Sequence, residues 1–299
     1  MAGLITPKKF SASTRCFFVS DLHGHTDRYE KLFRVMDNER PSLVFLGGDL
    51  LPSHILHLTS SEEICGDFVH DFLRVHFERL RQTMGRNYPQ VYLILGNDDL
   101  RSEETTFLAD GSDGLWHYIH QRRVQFDDYT IYGYACVPPT PFRLKDWERY
   151  DVSRYVDPGC THPMEGSHSV PVEESELKNT TIKDDLQKLV GEDSMTKAVF
   201  LFHTPPYDTV MDHAPLDGIM IDHAPLDVHV GSIAVRQFIE TRQPYLTLHG
   251  HVHESARITG TWKQRIGRTY ALSAAHDGPE LCLVRFLFEN LEDGTRELL

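Results

Sequence analysis

Hydrophobic and polar positions follow a repeating order along this chain. A short, wholly apolar run is closed by Gly, Asp, Asn or His. A longer stretch then follows whose apolar residues recur at three- and four-residue spacings. Five such runs stand out, at 16–19, 43–46, 91–95, 199–202 and 245–248. Continuous apolar runs of this length predict strands buried on both faces. The segments between them predict helices. Thr26 can cap a helix beginning near Asp27, with Glu30 in its first turn. Phe68, Phe72, Val75 and Arg79 set a helical period after the second strand, and Leu73, Phe77 and Leu80 widen its apolar face. Residues 124–137 predict a hairpin turning at Asp127 and Asp128. Ser232 can cap a helix through Phe238 and Ile239, and Pro244 opens the fifth strand. Arg257 with Ile258, 270–272 and 281–288 read as later strands of a second sheet. Strand and helix in alternation give an α/β class.

Two stretches break this rhythm. Residues 138–196 open with Pro138, Pro139 and Pro141 and continue polar, which predicts a cap-like insertion in one catalytic domain spanning 1–299. Within it a helix is expected from about 182 to 190, with Leu186 and Leu189 on one face. Trp147 and Arg149 are candidates for base or phosphate contacts, although anchoring the loop to the core is the better reading of Trp147. The second irregularity is a repeat. Asp-His-Ala-Pro-Leu-Asp occurs at 212–217 and again at 222–227. Two copies are too few for a solenoid; a mobile flap beside the fourth apolar run is expected, against the plainer reading of a duplicated loop that only covers the sheet edge.

Composition narrows the class. The chain has 299 residues, 40% of them hydrophobic, enough for a large core. Its net charge of −14 disfavours a long nucleic-acid contact, though not a small phosphate ester. No apolar run approaches a membrane span, and no signal-peptide core opens the chain. The five cysteines (Cys16, Cys65, Cys136, Cys160, Cys282) lack Cys-x-x-Cys spacing and fit reduced thiols in the cytoplasm.

The candidate chemistry lies where the apolar runs end. In order these ends carry Asp21 and His23, Asp49, Asn97 with Asp98, His203, and His251 with His253. Ligands of open α/β sheets collect outside the carboxyl ends of the strands. Five ends on one rim would gather two Asp, one Asn and four His, a set suited to borderline-hard divalent metals. Singly, each motif reads as a plain turn; the ordered set carries the signal.

In that order the segments resemble the calcineurin-like metallophosphoesterases, whose pattern runs D-x-H, G-D, G-N-H-[DE], a lone H and G-H-x-H. The tail at 274–279 and the run at 230–232 look like bacterial members without a settled substrate. The resemblance implies a four-layer α/β/β/α sandwich of two mixed sheets flanked by helices. It also implies two divalent metal ions (Mn, Fe or Zn), one held by Asp21, His23 and His253 and the other by Asn97, His203 and His251. Asp49 would bridge them, and a metal-bridging hydroxide would attack a small phosphate ester. One position departs from the pattern: Asp98 stands where the family carries His. An Asp there can neither donate nor attract a dianionic monoester, which favours phosphodiesters or small nucleotide-type esters over monoesters. His25 is the candidate for the missing donor, against the plainer reading of a solvated loop histidine. His276 and Asp277 can reach the site rim, although an ordinary turn is the better reading, and His54, His57, His70, His76, His117 and His120 lack ligand spacing. A non-catalytic metal-binding or interaction module, and a nuclease, are the competing readings.

Overall fold

The computed structural model describes residues 13–53, 67–221 and 223–299. His54, His57, Cys65 and Asp222 lie outside them. The five apolar runs form parallel strands in two mixed six-stranded sheets. The first sheet contains β1 (Arg15–Val19), β2 (Leu43–Gly47), β3 (Gln90–Ile94) and β4 (His117–Tyr118), all parallel, in the order β14-β13-β1-β2-β3-β4. Here β13 (Cys282–Leu287) runs antiparallel to β1 and pairs with β14 (Asn290–Leu298). The second sheet has the order β11-β12-β10-β7-β6-β5. Its strands are β5 (Arg122–Phe126), β6 (Tyr129–Tyr134), β7 (Ala198–Phe202), β10 (Leu246–His249), β11 (Lys263–Ile266) and β12 (Thr269–Ser273). Phe17, Phe18, Phe45, Leu93, Phe200 and Leu248 have no more than 1% of their surface exposed, as central strands covered on both faces require.

Helices flank the sheets. Beside the first lie α1 (Thr26–Glu39) and α2 (Val75–Met84), joined by the rings of Phe33 and Phe77 at 5.0 Å. Then come α3 (Glu104–Gly111), α4 (Glu174–Asn179) and α5 (Ile182–Val190). Beside the second sheet α6 (Ile233–Arg242) sets Phe238 4.9 Å from Phe200. α7 (Ser255–Thr259) is a single turn. Ser232 caps α6 as expected, accepting from the Val235 amide at 3.0 Å, and Thr181 caps α5. The hairpin turns at Asp127 and Asp128. No helix among the described residues is long and apolar enough to cross a membrane.

Four local expectations are corrected. Thr26 is the first helical residue rather than the cap. The His25 carbonyl already accepts from the Tyr29 amide, and no side chain caps that end. The apolar face after β2 runs through Val69, Leu73, Phe77, Leu80 and Met84, while Val75 is 43% exposed. A π-helical turn at Phe68–Arg74 widens the helix and breaks the expected spacing. Arg257 and Ile258 are helical, because the Glu254 carbonyl accepts from both their amides and left-handed Gly260 then ends the turn. The strand within 281–288 belongs to the first sheet, where the short return from β12 lets it pair with β1.

The stretch after β6 is irregular and pinned from within. Trp147 is buried, and its indole donates to the Asp99 carbonyl at 2.9 Å. Asp146 accepts from the Arg101 and Ser169 amides, both at 2.8 Å. Lys145 and Glu148 form a fully buried ion pair at 2.5 Å, completed by two donors from Thr140. Arg149 is buried against Glu176 and Asp185 of its own segment.

The two copies of the repeat are used differently. Asp212 is buried and accepts from the Asp208, Thr209 and Gly231 amides and from His229. Asp227 instead accepts from the Tyr207 hydroxyl at 2.6 Å and from the His229 amide. Between them β8 (Met220–Ile221) and β9 (Ala224–Pro225) pair as a short hairpin.

Candidate metal centre

The loops that leave β1, β2, β3, β7 and β10 are stitched together by backbone groups. The amides of Asp21, His23 and Gly24 donate to the carbonyls of Gly48, Asp49 and Leu50 at 2.8–3.0 Å. The buried Asp99 carboxylate accepts from the amides of Leu50, Leu51 and Gly96, locking the third loop onto the second. The Gly250 amide donates to the His203 carbonyl at 2.9 Å. Asp21, His23, Asp49 and His251 all have positive φ, between 47° and 73°. Non-glycine residues held there cost roughly 1–3 kcal/mol each and persist only where the surroundings over-determine them. The motif glycines allow the crowding. A Cβ on Gly96 would lie 2.3 Å from an Asp49 oxygen, and one on Gly250 2.0 Å from the Ser20 hydroxyl.

The side chains converge in a row. Asp21 Oδ1 lies 3.3 Å from His253 Nε2, which is 3.3 Å from His23 Nε2. His23 Nε2 is 3.9 Å from Asp49 Oδ2, and Asp49 Oδ2 is 3.3 Å from His203 Nε2. His203 Nε2 is 3.0 Å from Asn97 Oδ1. The His251 ring packs 5.2 Å from that of His203, and its amide donates to Asp21 at 3.0 Å. Asp49 therefore stands between two groups of ligand atoms. Asp21, His23, Asp49 and His253 each offer one atom within 4.8 Å of the others.

The far nitrogens of two rings are fixed. His203 Nδ1 donates to the Gly47 carbonyl at 2.8 Å, and His23 Nδ1 to Asp98 Oδ2 at 3.2 Å. A partner on Nδ1 turns the Nε2 lone pair inward, as metal-ligating histidines require. Asp98 thus contacts a ligand ring, and its amide donates to Asp49 at 2.8 Å.

Electrostatics agree with a cation site. Burial alone would raise the Asp49 pKa, but His203, His23 and the Asp98 amide hold it far below the usual carboxylate range. Asp21, also buried, is lowered to about 2 by His253 and His203. Burial opposes protonation of His23 and His203, yet neighbouring carboxylates raise both to about 9. Burial and the adjacent His203 lower His251 to about 3. Two ionised carboxylates out of water need positive charge beside them, and protons on His23 and His203 supply it. Divalent cations would take that place and release those protons. The mixture of carboxylate, amide and imidazole donors fits divalent cations.

A cavity of about 300 Å³ opens on this cluster, lined by His23, His25, Arg28, Asp98, His253 and His276, with Ser53 and Asp277. His276 and Asp277 therefore reach the rim, where an ordinary turn was expected. The sequence also concealed Arg28. It reaches from α1 to the carbonyls of Asp21 at 2.8 Å and Gly278 at 2.6 Å, joining the first loop to the 276–280 loop. Its place one turn into a helix gave no signal. Asp99 matches the final acid of the third motif, but its role as acceptor for three amides emerges only in three dimensions. His70, His76, His117 and His120 stand outside the metal-binding group found among the described residues.

The sequence profile of the calcineurin-like phosphoesterases matches residues 14–255. No curated protein sequence matches the chain. Among solved structures, TT1561 of Thermus thermophilus is 13% identical and aligns over 96% of this chain and 99% of its own, with a TM-score of 0.54. Another crystal structure is 14% identical and aligns over the same shares with a TM-score of 0.56. At these identities the likeness concerns the fold.

Proposed function

The chain belongs to the calcineurin-like phosphoesterase family, and on that premise we propose that it is a dinuclear metal-dependent phosphoesterase acting on a phosphodiester or small nucleotide-type ester. The observation that carries this reading is Asp49, whose carboxylate stands between His23 on one side and His203 on the other. One ion would be held by Asp21, His23 and His253, the second by Asn97, His203 and His251, with Asp49 shared. Two divalent cations there lower the pKa of a bound water and neutralise charge developing on the phosphoryl oxygens.

The protein's own groups do the rest. Asp98 holds the His23 ring with Nε2 inward, so it acts through that ligand. His25 stands at the cavity wall, where it can contact a phosphoryl oxygen. The Asp98 carboxylate at the same wall repels a dianion more than a monoanion, which supports diesters over monoesters. Trp147 and Asp146 brace the 138–196 segment against the third loop, and we assign that segment to one domain with the catalytic core, as its cap. Free Cys16, Cys136, Cys160 and Cys282 support a reducing, cytoplasmic setting.

The test uses metal-stripped protein and Mn added back. Turnover of bis-p-nitrophenyl phosphate should return with metal and exceed that of p-nitrophenyl phosphate. Protein that binds the metal yet turns over neither ester would overturn the reading in favour of a binding module.

A further inference from the structure

Breaking a P–O bond leaves an alkoxide that needs a proton, and few groups at the cavity are free to give one. His23 and His253 are assigned to a metal. Asp98 accepts from His23. The Arg28 guanidinium is spent on the carbonyls of Asp21, Gly278 and Pro279. Two histidines remain. No hydrogen bond described here orients the His25 ring. The His276 ring is held: its Nε2 lies 2.9 Å from Glu280 Oε2, and 15% of the side chain is exposed, at the cavity.

The loop is built around that pair. Arg28 clamps its midpoint through Gly278 and Pro279. Gly278 leaves room for the contact, since a Cβ there would lie 2.5 Å from His276 Nε2 and 2.4 Å from Glu280 Oε2. Asp277 is turned outward to Arg257 at 2.6 Å, and its other oxygen stays 3.9 Å from His276 Nδ1. Nδ1 is thus the nitrogen left to exchange a proton with a bound ester. Besides Glu280 and Asp277 on its own loop, the charged or titratable groups that line the cavity with His276 among the described residues are Arg28, His23, His25, Asp98 and His253.

We infer that His276 is the proton donor to the leaving-group oxygen and that Glu280 is its positioning residue; this rests on the phosphoesterase reading above. Hydroxide forms the new bond to phosphorus as the bond to the leaving oxygen breaks. The electron pair of the broken bond stays on that oxygen, which takes the Nδ1 proton of the His276 imidazolium. Neutral His276 then recovers a proton from water, which restores hydroxide.

The experiment compares two diesters, methyl p-nitrophenyl phosphate and methyl phenyl phosphate, in Mn-loaded full-length protein of measured metal content. The nitrophenolate leaves without help; the phenolate needs the proton. His276→Ala should lower kcat/KM on the phenyl ester ~100-fold, and on the nitrophenyl ester by under about threefold. Gly278→Ala should reproduce this selectivity. Glu280→Gln should give a smaller loss with the same selectivity between the two esters. A readout without turnover is histidine NMR of the zinc-loaded chain, with the His276 signal assigned by its loss in His276→Ala. The wild-type ring should carry its proton on Nε2, and that preference should vanish in Gly278→Ala and weaken in Glu280→Gln. Equal losses on both esters, no loss on either, or a ring indifferent to Glu280 would overturn the inference while the metal reading stands. A wild-type chain that holds metal but hydrolyses neither ester would overturn both.

Discussion

Replacing Asp98 separates a carboxylate that acts on substrate from one that acts on a ligand. Its only side-chain hydrogen bond described is to His23 Nδ1, at 3.2 Å, with 16% of the His23 side chain and 20% of the Asp98 side chain exposed. Partners of this kind on ligating histidines are typically worth 10–100-fold in metal affinity. The contact is at the long end for an N–H···O bond and partly wet, so the lower half of that range applies. Asp98→Asn keeps an acceptor oxygen and loses the charge; it should weaken one metal-binding step about tenfold, or about 1.4 kcal/mol. Asp98→Ala loses both and should approach about 30-fold, or about 2 kcal/mol. His203 provides an internal control, because its Nδ1 donates to a backbone carbonyl that neither substitution touches. Calorimetric titration of the stripped protein with Mn should therefore show one step weakened and the other kept. Two steps shifted alike, or unshifted affinity with activity lost, would refute a role through His23.

Gly96→Ala should disable metal uptake and cost about 1–3 kcal/mol of stability, because its Cβ meets Asp49 at 2.3 Å; metal content and urea midpoints check this. Glu148→Ala strands the buried Lys145 ammonium and should cost about 3–5 kcal/mol in chemical denaturation, while Lys145→Met with Glu148→Leu should recover most of the loss. The third prediction concerns pH. The Ala135 amide donates to His120 Nδ1 at 3.0 Å, and burial with nearby Arg101, Arg149 and Arg122 lowers its pKa to about 3. The unfolded chain binds this proton near pH 6.5 and the folded one does not, so stability is lost as pH falls below 6.5. Metal-free protein taken from pH 7 to pH 5 should lose about 1–2 kcal/mol through this group. His120→Gln, which keeps an acceptor, should remove that part of the slope; an unchanged slope would contradict it.

The strand framework was legible because its signal is local. Runs such as 91–95 are apolar without interruption, and only a covered strand needs that. The helix at Ile182–Val190 announced itself by its spacing. The candidate ligands were legible because each directly follows a strand. What stayed hidden depends on distant partners or small shifts of register. The π-helical turn at Phe68–Arg74 moves the buried face without changing composition. The sheet chosen by β13 rests on which edge its return reaches. Arg28 reads as an ordinary charged position and Asp99 as the last acid of its motif, yet both act on backbone far off in the chain; Glu280 acts on a ring four residues away. The contact of Asp98 with His23 was not legible from order alone, because it joins two separate loops.

The duplicated hexapeptide leaves this protein with a choice between two equal words. Asp212 takes the buried place, and three of its donors come from Asp208, Thr209 and Gly231. Nothing inside the repeat tells one copy from the other, so the selection is made upstream. Four and three residues before Asp212 stand Asp208 and Thr209; before Asp222 the same offsets fall on Gly218 and Ile219. The Thr209 hydroxyl, which donates to the Pro206 carbonyl and lies 3.4 Å from Asp212, has no counterpart there. The surplus ten residues are absorbed as a hairpin beyond the site, where sequence can drift without disturbing the anchor. A spare copy of a structural word, free of the anchor's task, is raw material for a new contact.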